Sequence, residues 1–248
     1  SLKPQHISAY SLIVEEGTPF YEKYGQESEK LQATGEKQPD LPSEEEEREM
    51  YALTEKLLAA AGYHRYEISN YALPGRECRH NLVYWKRGNY VGFGLGAASM
   101  VENVRFENIR EMQEYLAEYA GMPDAEPVFA EVAQGDAQVL SNEQEFSLRE
   151  DTHSENEQEL SIRENVHPLS PQEQMEETMF LGLRLTEGIS KAKFHRQFGV
   201  SMEQIYGEVI RKNTAKGLLI DEAGYVCLTR EGMDLSNYVM AQFLLDEV

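Results

Sequence analysis

Cysteine is almost missing from this 248-residue chain: Cys78 and Cys227 are the whole complement. Two thiols cannot build a four-cysteine zinc site, nor hold an iron–sulfur cluster on their own. So sparse a content predicts a reducing, cytoplasmic setting. No apolar run approaches the roughly 18 residues needed to span a bilayer, and no secretory leader stands at the start. Cations are in the minority, with 23 Lys and Arg against 44 Asp and Glu and a formal net charge of −21. A surface of that sign argues against nucleic acid as a partner, which requires positive charge. No P-loop, no H-E-x-x-H and no Ser/His/Asp arrangement is present. An initiating Met is absent as well: the chain opens at Ser1 and is in a strand-like run by His6. We therefore expect a fragment that starts partway through a fold.

The negative charge is concentrated. Between Gly121 and Pro171 stand 12 Asp/Glu and two Arg, a local net of −10. A tandem repeat lies inside this stretch, NEQEFSLREDTHS at Asn142–Ser154 and NEQELSIRENVHP at Asn156–Pro168, with a period of 14 residues. Two copies are too few for a solenoid. The low apolar content reads as an acidic, solvated insertion or linker over 121–169. His153 and His167 hold matching repeat positions and are read as exposed, not as metal ligands.

Elsewhere the pattern alternates strands and helices. Residues 6–13 read as a buried strand and 21–42 as polar loop. Ser43 with Glu46 forms a capping box, opening a helix that carries Tyr51, Leu53, Leu57 and Leu58 and stops at Gly62. Tyr66–Tyr71 reads as the next strand. Strand, helix, strand is the signature of a parallel α/β sheet. Asn108 is placed to cap a helix over 109–119. From Ser170 the spacing predicts helices over 171–184, 190–198, 201–216 and 230–245. A hairpin of Leu218–Ile220 with Tyr225–Leu228 interrupts them, its turn carrying Gly224. This is a small, winged-helix-like α+β arrangement over 170–248. Arg211, Lys212 and Lys216 on its third helix are surrounded by Glu203, Glu208, Asp221 and Glu222, which again disfavours DNA.

The stretch CRHNLVYWKRGNYVGFGLGAAS, Cys78–Ser99, concentrates the unusual residues. His80 is a candidate metal or heme ligand, with Asn81 placed to orient it or to bond a bound group. Tyr84 and Trp85 offer aromatic surface beside it, suited to a planar macrocycle or to a core. Gly92, Gly94 and Gly96 lack the dinucleotide fingerprint spacing. They fit either close backbone approach to a ligand or tight packing. Cys78 reads as a free thiol. Glu67 and the many surface carboxylates form no specific acid/base pair.

H80-N-L-V-Y-W85 matches the HNxxYW motif, and the chain resembles the HemW-type heme chaperones. H6-I-S-A-Y-S-L-I-V-E-E-G-T-P-F20, Y66-E-I-S-N-Y-A72, G92-F-G-L-G-A-A-S99, M179-F-L-G-L-R184, E187-G-I189 and G217-L-L219 support the resemblance. It covers most of the chain outside the acidic repeat. These are radical S-adenosylmethionine proteins, similar to the oxygen-independent coproporphyrinogen III oxidases. The resemblance implies the C-terminal part of a partial, six-stranded (β/α) barrel over 1–120, then the acidic insertion and the small C-terminal domain. It implies heme handling by His80, Asn81, Tyr84 and Trp85, with heme passed to recipient proteins, some of them membrane-associated. It implies S-adenosylmethionine contacts at Ile13 and Ala98, and it allows a homodimer. The CxxxCxxC motif that holds the family's 4Fe–4S cluster does not occur in this sequence, so the chain alone is expected neither to hold the cluster nor to cleave S-adenosylmethionine. Two other readings are a coproporphyrinogen III dehydrogenase, forming vinyls from propionates, and a plain interaction module using the acidic repeat.

Overall fold

The computed structural model describes residues 2–24, 41–120 and 163–245. Its contacts group into two units, residues 1–88 with 170–248 and residues 89–169.

The first unit begins with β1 (His6–Ser8), the short helix α1 (Pro19–Tyr24) and α2 (Glu44–Ala60). The capping box expected at the start of α2 is present. The Ser43 amide donates to Glu46 Oε2 at 2.8 Å, and the Glu46 amide donates to Ser43 Oγ at 3.3 Å. Then come β2 (His64–Glu67) and β3 (Asn70–Ala72), in a sheet of order β1-β3-β2.

Two expectations need correction here. The segment 66–71 is not one strand, because the backbone reverses at Ile68 and Ser69 and its two arms pair antiparallel. That reversal also removes the parallel pairing read from strand–helix–strand. β1 and β2 run in the same direction, but β3 lies between them, antiparallel to both. A tight turn sets two consecutive segments side by side before any longer connection can. The run 6–13 also fails as a buried strand beyond Ser8: Tyr10, Leu12 and Ile13 are all exposed.

Beyond this sheet the first unit adds α3 (Arg79–Trp85) and, after the second unit, α5 (Pro171–Gly182). β7 (Ile189–Ser190), α6 (Lys191–Phe198), α7 (Met202–Ala215), β8 (Leu219–Glu222) and β9 (Tyr225–Leu228) follow, with strand order β7-β9-β8. The hairpin stands where the sequence placed it. The final helix is two, α8 (Arg230–Asp234) and α9 (Ser236–Ala241), parted at Leu235, whose φ of −109° and ψ of 26° are not helical. Met179, Leu183, Phe194, Met202, Tyr206, Val226, Val239 and Phe243 form the core of this part, each at most 1% exposed. Burying each of these other than Tyr206 stabilises by about 1.5–3 kcal/mol relative to exposure.

The second unit holds β4 (Ala98–Val101), β5 (Val104–Asn108), α4 (Met112–Ala120) and β6 (Arg163–Pro168), in strand order β4-β5-β6. β4 and β5 join through Glu102 and Asn103, both at positive φ (47° and 67°), the two-residue turn that matches strand twist. Asn108 is not a helix cap. It ends β5 and donates through Nδ2 to the carbonyls of Gly92 (3.3 Å) and Gly94 (2.8 Å), while α4 starts at Met112. β6, the end of the second repeat copy, is exposed along its length, His167 included. His153 lies outside the described residues.

Candidate functional site

The motif residues His80, Asn81, Tyr84 and Trp85 all lie on α3. Helical spacing divides them into two pairs one turn long, His80 with Tyr84 and Asn81 with Trp85. His80 and Tyr84 meet edge-to-face, ring centroids 4.9 Å apart and planes at 80°. The imidazole is exposed and Tyr84 half-buried.

The second pair faces protein. Asn81 Nδ2 donates to Tyr66 Oη at 3.4 Å, and His6 Nε2 lies 2.9 Å from the same hydroxyl. Burial is the main cause that pushes the Tyr66 phenol above its usual pKa. Tyr66 thus joins β1, β2 and the start of α3 at one oxygen. Trp85 lines a cavity of about 170 Å³ with Leu185, Ile189 and Phe194, and an open groove of about 390 Å³ with Phe180, Met240 and Leu244. One face of its indole is covered by the Arg184 guanidinium, 4.3 Å from the ring centroid. The aromatic surface expected of Tyr84 and Trp85 together is therefore split between two sides of one helix.

Two further ion pairs anchor the end of α3. Arg87 Nε lies 2.9 Å from Glu177 Oε2, both side chains largely buried, and Lys86 Nζ lies 3.0 Å from Glu187 Oε1. Their cations stand at the helix C-terminus, where the backbone dipole favours positive charge.

Reading the sequence did not single out Arg184, and it gave Glu67 no specific partner. Glu67 is fully buried and accepts from the Ser69 amide (2.7 Å), Asn70 Nδ2 (2.6 Å) and Arg184 Nη2 (3.2 Å). The one signal available was a charged residue inside an otherwise strand-like run.

Ile13 belongs to the first unit and Ala98 to the second. Both residues are exposed. The glycine tract between Gly92 and Gly96 is shaped by its own neighbours. A Cβ on Gly92 would overlap the Ala98 carbonyl oxygen, while Gly94 and Gly96 sit at φ of 96° and 61°. An iron–sulfur cluster does not fit this chain. Cys78 stands at the start of α3, Cys227 in β9, both are free thiols, and three or four ligands cannot be drawn from two. Among the described residues no group of three or more His, Cys, Asp or Glu could hold a metal ion. None of the described helices is long and apolar enough to cross a membrane.

Residues 169–235 match the HemN C-terminal domain. The chain is 34% identical over 244 residues to the heme chaperone HemW of Bacillus subtilis, covering 98% of this chain and 52% of that protein. It is 33% identical over 247 residues to the heme chaperone HemW of Lactococcus lactis, covering 100% and 52%. Over nearly its whole length the chain is similar to the HemW heme chaperones. It spans about half the length of these curated relatives. Its fold is that of the coproporphyrinogen III oxidase HemN from Escherichia coli, a radical SAM enzyme, with a TM-score of 0.57 at 14% identity over 97% of this chain and 48% of that one. The chain's own architecture is mixed α/β.

Proposed function

We propose that this chain carries the heme-handling segment of a heme chaperone, which binds heme and passes it to recipient proteins. The observation that carries the reading is the exposed His80 imidazole, braced by Tyr84 on a short helix that Asn81 and Trp85 fix to the protein. Imidazole is a common axial ligand to heme iron. A ligand at the surface suits a cargo that must leave again, whereas a resident prosthetic group is normally enclosed. Tyr84 supplies an aromatic edge next to the ligand.

The finer architecture belongs to the same proposal: a barrel portion over 1–120, the acidic insertion 121–169 and a winged-helix-like domain 170–248. The helices α5, α6 and α7 and the β8–β9 hairpin support the last. S-adenosylmethionine would meet main chain near Ile13 and Ala98 in the longer protein, and it supplies a carbon radical when bound to a reduced cluster. This chain's residues could only help to bind it. Sparse cysteine supports a cytoplasmic setting.

The test is a hemin titration followed at the Soret band. Wild type should bind with a ligand-field spectrum typical of imidazole. His80→Ala should lose that spectrum and weaken binding by about tenfold or more. Equal affinity and an unchanged spectrum in the variant would remove His80, and with it this reading.

A further inference from the structure

We propose that Arg184, held in place by Glu67, is the positioning residue that seats Trp85 and so fixes α3, the helix that presents His80 to the macrocycle; this rests on the heme-binding reading of α3. The guanidinium carbon sits 4.3 Å from the indole centroid, within the range of a cation–π contact. The cation is not free to swing away, because its Nη2 is paired at 3.2 Å with Glu67, a carboxylate that is 0% exposed. A buried carboxylate costs stability unless its lone pairs are met. Here the Ser69 amide and Asn70 Nδ2 meet one oxygen and Arg184 the other.

The backbone reinforces the same junction. The Ile68 amide donates to the Arg184 carbonyl at 3.1 Å, and the Thr186 amide donates to the Tyr66 carbonyl at 3.1 Å. The turn between β2 and β3 is thus fastened directly to the segment that follows α5. Two stretches far apart in sequence, Y66-E-I-S-N-Y-A72 and M179-F-L-G-L-R184, become one device.

Two consequences follow for ligand binding. One face of the only tryptophan is taken by Arg184, so the indole anchors α3 to the protein and leaves the His80 side of the helix for the macrocycle. The angle of the indole is set by the sheet, not by α3 alone. Arg184 acts through Trp85 and need not touch heme.

The single tryptophan makes the idea directly measurable, because all indole emission from the intact chain reports Trp85. In ligand-free protein, Arg184→Gln and Glu67→Gln should shift that emission and raise its quenching by acrylamide about twofold. Their hemin affinity should fall about tenfold, the size expected for losing one cation–π contact that seats the helix carrying His80. Arg184→Lys keeps the charge and its pairing with Glu67 but not the flat guanidinium. It should melt above Arg184→Gln, whose loss of the Glu67 pair lowers the melting temperature, without restoring the emission. If Arg184→Gln does not fold, Arg184→Lys carries the comparison. His80→Ala should leave ligand-free emission at the wild-type value. Wild-type emission and wild-type hemin affinity in folded Arg184→Gln or Arg184→Lys would overturn the proposal while His80→Ala still tests the heme reading. Normal hemin binding by His80→Ala would overturn that reading while the emission of the Arg184 variants still tests the geometry.

Discussion

Gly92 shows how a residue's surroundings decide between two readings of the same letter. With a Cβ overlapping the Ala98 carbonyl oxygen and only 2.9 Å from Ala97 Cβ, Gly92→Ala must push backbone aside. Overpacking of this kind costs about 1–3 kcal/mol. The expected outcome is a lower melting temperature in calorimetry with no added ligand. An unchanged melt would make Gly92 a candidate ligand contact again. The thiols make a second residue-scale case. Burial, followed by the nearby Glu222, pushes the Cys227 thiol up, so little thiolate exists at neutral pH and reaction with iodoacetamide should be slower than that of free glutathione. Mass spectrometry of time points at pH 7.5 measures it, and a rate equal to glutathione contradicts the burial. His80 and Trp85 were legible as unusual residues from the sequence alone. Glu67 and Arg184 were not, since the two partners stand 117 positions apart and only the fold makes the pair.

Elements were legible where the deciding interaction is local. The capping boxes at Ser43, Ser170 and Ser201 each close within three residues, so sequence spacing suffices to place a helix start. Strand partners are chosen by turns and by segments that come later, which is why the Tyr66–Tyr71 hairpin and the order β1-β3-β2 were not. The α6 terminus offers a test at this scale. Lys191 Nζ pairs with Glu203 (2.6 Å) and Asp221 (2.5 Å), linking α6 to α7 and β8. Hydrogen bonding from Lys191 is the main cause that lowers the Glu203 pKa. Although its own burial opposes this, Lys191 is raised by its two carboxylate partners. A lowered carboxylate contributes stability above its unfolded value near pH 4.3, lost as pH falls through the folded value. A raised amine contributes below about pH 10.4, lost as pH rises through its folded value. Lys191→Ala should therefore lower the melting temperature between about pH 5 and 10 and converge on wild type below about pH 4. Because the Glu203 side chain is 51% exposed, the loss should stay under about 1 kcal/mol. A deficit that persists at pH 3 would mean that packing of the lysine stem, not charge, is responsible.

For the whole molecule, the core is unequally shared. Among the described residues 22 hydrophobic side chains are buried, and 15 of them lie between Met179 and Phe243. The described residues of 1–88 supply only Tyr66, Tyr71 and Ala72, and leave Tyr10, Leu12, Ile13, Met50, Leu53 and Leu57 exposed. The hydrophobic cluster in the C-terminal part is made almost wholly of its own residues, with Ile68 the single contributor from outside. Hydrophobic burial is the main force that offsets chain entropy, so independent folding should follow core ownership. A peptide of residues 169–248 should therefore fold alone, with a cooperative thermal transition by circular dichroism and dispersed amide resonances. It should melt below the intact chain, because it loses the Glu67–Arg184 pair and the backbone bonds from Tyr66 and Ile68. Residues 1–88 alone, whose described residues offer three buried apolar side chains to set against the entropy of a segment that long, should show no cooperative transition. A cooperative melt of 1–88 alone would show that the exposed stripe on α2 finds cover within its own segment. Failure of 169–248 to fold would show that the junction at Glu67 and Arg184, rather than the cluster around Phe194 and Tyr206, decides whether this part holds together.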